Sequence, residues 1–166
     1  MPDKDTIERA KLDKPQGKAP STQAGEFVRE EIEHVREGKH GVRSTKQAIA
    51  IGLSKARRAG VDLPPPAKGT VSERTARSAK SAYRAGRKGE HHTSRTRARA
   101  ATAALKHEPK TGASHAALAR QARSAAAKHT RSERSAAART AARTKGPVAR
   151  SAAARKAAHT RAARRG

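Results

Sequence analysis

The hydrophobic positions of this chain crowd into one stretch, from Ser21 to Pro66. Ala24, Phe27, Val28, Ile32 and Val35 recur at three- and four-residue steps, a spacing that lines up one side of a helix. Ser21 reads as its N-cap and Gly38 as its stop, which predicts a helix over about residues 22–37. Ser44 and Gln47 stand at capping-box spacing before Ala48, Ile49, Gly52, Leu53 and Ala56, and Gly60 with Pro64, Pro65 and Pro66 ends the run. A second helix over about residues 45–59 follows, facing the first. Asp5 to Asp13 predicts a short third helix with Ile7 and Leu12 as its only large apolar residues. The expected fold is therefore all-α: a small N-terminal helical hairpin or three-helix cluster in residues 1–66.

Beyond Pro66 the pattern stops. Of the sixteen Leu, Ile, Val and Phe residues only Val71, Leu105, Leu118 and Val148 lie there, and one Phe, one Tyr and no Trp cannot organise a large interior. Residues 67–166 read as a low-complexity Ala/Arg/Lys tail, disordered or nascent-helical when free. Gly86, Gly89, Pro109, Gly112, Gly146 and Pro147 punctuate it. The nascent helices between them are expected at 72–85, 94–106, 114–128, 132–143 and 150–164.

Charge divides the chain at the same place. Residues 1–66 carry 13 Lys/Arg against 10 Asp/Glu, while residues 67–166 carry 26 against 4, within a total of +25. Such a one-sided excess points to a polyanion, and arginine's planar fork suits phosphate. Double-stranded DNA is the expected partner, through Arg95, Arg97, Arg99, Arg120, Arg123, Arg131, Arg134, Arg139 and Arg143 in the tail and Lys46, Lys55, Arg57 and Arg58 on the second predicted helix. The connector GKHGVRS is longer and richer in glycine than the turn of a helix-turn-helix, so specific major-groove reading is not expected. Tyr83 alone cannot build a base-stacking platform, which disfavours single strands; structured RNA stays open as an alternative partner.

The carboxylates Glu26, Glu30, Glu33 and Glu37 form a stripe along the first predicted helix, which keeps that helix from phosphates. Solvated pairing with Arg29 and Arg36 explains them, and so would reception of basic groups. The apolar stripe is small for a free-standing core, so Phe27, Val28, Ile32, Ile49 and Leu53 are candidates for a homodimer interface.

The run STQAGEFVREEIEHVREGKHGVRSTKQAIAIGLSKARRAG, with its proline stop and the downstream SERTARSAKSAYRAG, resembles a bacterial family of small basic proteins that carry a domain of unknown function. ASHAALARQARSAA, from Ala113 to Ala126, is similar to that family as well. Its members are often labelled DNA-binding or plasmid-stabilisation proteins, and the resemblance implies no catalytic residue. The C-terminal half resembles linker-histone-like tails in composition. Together these imply a nucleoid-associated, histone-like DNA-compacting protein, with a helical protein-interaction module in plasmid maintenance, or an RNA- or ribosome-associated binder, as alternatives.

Other chemistry finds little purchase. Cysteine is absent, and neither His34 with His40 nor the adjacent His91 and His92 shows the ligand spacing of a structural zinc site, so no metal and no cofactor are expected. Ser114–His115 has no acid beside it, and no phosphate loop or dinucleotide fingerprint occurs, so the protein is not expected to be an enzyme. The longest run without polar side chains, Ala48 to Leu53, is far short of a bilayer. A cytoplasmic protein of the bacterial nucleoid, with no membrane partner, is the expectation.

Overall fold

The structure is a computed structural model that describes residues 2–89 and 94–164; His91 and His92 lie outside the described residues. In chain order the helices are α1 (Lys4–Asp13), α2 (Pro20–Arg36), α3 (Thr45–Arg58), α4 (Glu73–Lys88), α5 (Arg95–Lys106), a 3-10 turn (Thr111–Ala113), α6 (His115–Ala127) and α7 (Arg131–Ala163). The fold is all-α. The chain divides into two compact units, residues 1–121 and 122–166.

In the first unit α2 is the central element, with α1 and α3 packed on it and α4 packed on α3. One apolar cluster joins Ala10, Ala24, Phe27, Ala56 and Val61, with Ile7, Leu53, Ala59 and Leu63 half-buried around it. A second joins Val35, Val42, Ala48 and Ala113, flanked by Ile32 and Ile51. Small residues let the helices approach: a Cβ on Gly52 would meet the Val28 Cα at 2.6 Å, and one on Gly86 would meet the Arg57 carbonyl oxygen at 1.9 Å. Neither position admits a side chain without displacing a helix.

The chain returns to the α2–α3 connector through its backbone. Gly41 N–H donates to the Leu105 carbonyl (2.8 Å) and Val42 N–H to the Pro109 carbonyl (2.8 Å). The Thr45 hydroxyl donates to the Gly112 carbonyl (2.6 Å), and Arg36 Nε donates to the Ala113 carbonyl (3.0 Å). These bonds satisfy a buried turn that would otherwise strand its polar groups.

The expectation of a tail that is disordered or only nascent-helical when free is overturned. Four helices occupy it among the described residues, and they run to Ala163. The physical reason lies in spacing. α7 holds thirteen alanines in 33 residues, and half of the steps between its successive cations are of five residues; only Arg131–Arg134 and Arg139–Arg143 stand at the three- or four-residue spacing at which like charges repel along a helix. Repulsion is thus too dilute to oppose alanine's propensity. A capping box starts the helix, with Glu133 N–H donating to the Thr130 hydroxyl oxygen (3.2 Å) and Thr130 N–H to Glu133 Oε2 (2.7 Å). Gly146, at φ 69° and ψ 169°, breaks the helix ahead of Pro147. Its left-handed backbone is one that glycine adopts freely.

Candidate nucleic-acid interface and a buried charge cluster

α4 is the most two-sided helix of the chain. Its N-cap Ser72 accepts from Thr75 N–H, and Gly89 closes it in the left-handed conformation. Ala79 and Ala82 are buried, and Gly86 abuts α3. At about 100° per residue, Arg74, Arg77, Lys80, Arg84, Arg87 and Lys88 fall within an arc of about 140° on the opposite side. All six are exposed. Like charges so close repel one another along the helix, and docking on α3 is what holds them together. Pro65 and Tyr83 floor a shallow open groove beside Lys80, Arg84 and Arg87. The Tyr83 hydroxyl donates to Asp62 Oδ1 (2.6 Å), and the Arg87 guanidinium carbon lies 5.8 Å from the ring centre. Tyr83 is a local brace.

The residues expected to meet DNA divide in two. Lys46, Arg58, Arg95, Arg97, Arg99, Arg120, Arg123, Arg131, Arg134, Arg139 and Arg143 are exposed, although Arg134 also donates to the carbonyls of Ala126 (3.1 Å) and His129. Lys55 and Arg57 face inward. Arg57 is buried and donates to the carbonyls of Leu63 (3.1 Å) and Pro64 (3.3 Å), tying the proline segment to α3. Burial lowers its pKa from the ordinary arginine value. The α4 cations were missing from the sequence expectation, yet their three- and four-residue spacing is visible in SERTARSAKSAYRAGRK.

Of the residues expected at a dimer interface, Phe27 is buried within the chain and the other four are half-buried. Phe27 is fully buried, with Leu53 against the same cluster and Ile32 against the second. Val28 meets Gly52, and Ile49 is half-buried. Phe27 has no surface to offer a second copy.

Lys55 belongs to a cluster between α2 and α3. Its Nζ lies 2.9 Å from Glu30 Oε1 and 2.9 Å from Glu31 Oε2, and both carboxylates are buried. Asp3 N–H donates to Glu30 Oε2 (3.1 Å). His40 Nε2 stands 3.3 Å from Glu31 Oε1, and His34 Nδ1 3.9 Å from Glu30 Oε1. Neither Glu31 oxygen has a properly directed hydrogen bond; the contacts with Lys55 and His40 are near in distance and poor in angle. Burial works against the Lys55 ammonium, but the Glu31 and Glu30 carboxylates outweigh it and raise its pKa above the ordinary lysine value. Glu31 was missed in the sequence although a signal exists: it lies four residues from both Phe27 and Val35, inside the apolar stripe.

A family of unknown function (DUF6496) matches residues 13–68, which hold α2, α3 and the proline segment. No curated protein and no solved structure matches the chain. Among the described residues no helix is long and apolar enough to cross a membrane. The chain is thus similar, over that third of its length, to a family whose function is unknown.

Proposed function

We propose that this protein binds double-stranded DNA with little sequence preference and compacts it. The observation that carries this reading is the exposed cation face of α4, held on a folded unit by an opposite face that packs on α3. A preformed array of this kind meets phosphates without first paying to order itself. The exposed arginines of α5, α6 and α7 supply further phosphate contacts. Together they give many weak sites and little base reading, the combination that suits compaction.

Mobility shift of the full chain on a mixed-sequence duplex across a salt series tests this. Engagement of about ten phosphates makes the log–log slope of affinity against salt about −9. Random-sequence and defined duplexes should compete equally, and structured RNA and single strands should compete less well. Failure to shift a duplex at low salt, affinity indifferent to salt, or stronger competition by structured RNA would each overturn the reading.

A further inference from the structure

The cluster between α2 and α3 is unbalanced in charge. Glu30 and Glu31 are buried with one ammonium, Lys55, between them, and the Asp3 carboxylate reaches His34 Nε2 at 3.3 Å. Two buried carboxylates against one ammonium leave one negative charge in the interior, and the Asp3 carboxylate, more than half exposed, adds another at its edge. Buried charge without a partner is costly, so the deficit calls for a positive group at this place.

The imidazoles are set for metal. His40 Nδ1 lies 3.1 Å from the Gly41 carbonyl. A carbonyl only accepts, so Nδ1 carries a proton, and in the neutral ring Nε2 presents its lone pair towards Glu31 Oε1, 3.3 Å away. In that neutral ring two lone pairs face one another across the gap, which a cation seated between them would bridge. The Asp3 carboxylate likewise holds a proton of His34 on Nε2, and in the neutral ring this leaves the Nδ1 lone pair for the cluster. Holding the far nitrogen of each ring by an acceptor is the arrangement that orients metal-bound histidines. The rings stand nearly perpendicular at 6.3 Å, and one donor atom from each of Glu31, His34 and His40 lies within 4.8 Å of the others. Glu31, fully buried with neither oxygen properly hydrogen-bonded, points into the same place.

We propose that Glu31, His34 and His40 form a binding site for one divalent transition-metal ion of the zinc type, clasping the C-terminal half of α2 to the connector before α3. Two imidazoles and a carboxylate are ligands for zinc or cobalt and unsuited to magnesium. Glu30 Oε1 lies 3.9 Å from His34 Nδ1, and Glu30 groups with His34 and Asp3 apart from Glu31 and His40. Lys55 is the competing cation: its ammonium contacts both glutamates and must turn aside when metal binds.

Titration of the full chain with Co2+, read by its visible d–d absorption, and with Zn2+, read by calorimetry and thermal unfolding, tests the site. One equivalent should bind with a tetrahedral-type cobalt spectrum and raise the melting temperature, while Mg2+ does neither. His40→Gln and His34→Gln should abolish the cobalt spectrum while circular dichroism stays native. Asp3→Ala, which frees only the far side of His34, should weaken binding about tenfold. Lys55→Met separates this site from a simple buried ion pair: the variant should melt lower than wild type in chelator, bind Zn2+ more tightly, and recover its stability with it. A Lys55→Met protein that zinc does not rescue, or zinc and cobalt binding retained in the His34→Gln/His40→Gln double variant, would overturn the proposal.

Discussion

α2 and α7 are both long helices, and they exist for opposite reasons. α2 is wrapped by α1 and α3 and buries Phe27, Glu31 and Val35. α7, broken at Gly146 into two stretches each about as long as α2, buries no residue. Tertiary packing makes the first a helix, at the expense of two buried carboxylates; alanine propensity and a capping box make the second. The lesson concerns charge. Where packing is available, this protein spends cations inward, as with Lys55 and Arg57; where it is not, cations stay on the outside and apart. α4 stands between the two regimes, one face packed and the other lined by six cations with Ser81 and Glu73 among them.

The contrast breaks most visibly at Phe27. Phe27→Ala should lower the stability of the first unit by about 3–5 kcal/mol. Hydrogen exchange across α1–α3 should accelerate, while the amides of α7 keep their wild-type rates. If α7 amides respond equally, the second unit depends on the first after all.

Gly86→Ala asks whether α4 depends on docking. The added Cβ falls 1.9 Å from the Arg57 carbonyl oxygen, so α4 must shift, at a cost of about 1–3 kcal/mol even though alanine is the better helix former. The amides of α4 should lose protection and those of α2 much less. An unchanged or stabilised α4 would show that its cation face stands without α3.

The smallest effect is at the start of α7. The backbone and hydroxyl of Thr130 hold the Glu133 carboxyl below its usual value of 4.5. A depressed carboxylate contributes stability that is complete above its unfolded value and fades as pH falls through the lower, folded one. Acidification from pH 5 should therefore fray the first turn of α7, seen in the Thr130 and Glu133 amide resonances. Glu133→Gln should remove that pH dependence, and an identical acid response in the variant would sink this role.

Much of the first unit was legible in the chain. Ser44 caps α3 as its spacing with Gln47 indicates, accepting from Gln47 N–H at 3.3 Å; the Gln47 side chain, however, accepts from Arg43 N–H in place of the Ser44 amide. Apolar periodicity located α2 because packing and periodicity are the same fact seen twice. The buried cluster was harder to see, since Glu31 and Lys55 read as ordinary helix surface until each is placed on its apolar stripe. The return of residues 105–113 to the connector leaves almost no trace, because backbone carbonyls and one alanine carry it. The tail went wrong through a sum rather than a motif: net charge suggested repulsion, whereas five-residue spacing kept the charges of α7 out of register.

The most direct measurement compares the salt dependence of duplex binding by the wild-type chain with that of Arg77→Gln/Lys80→Gln/Arg84→Gln/Lys88→Gln, its fold verified by circular dichroism. If the α4 face meets phosphates, losing four contacts makes the log–log slope shallower by about 3.6 and weakens binding to all duplex sequences alike. A slope and affinity equal to wild type would contradict the assignment of α4 as the DNA-binding face.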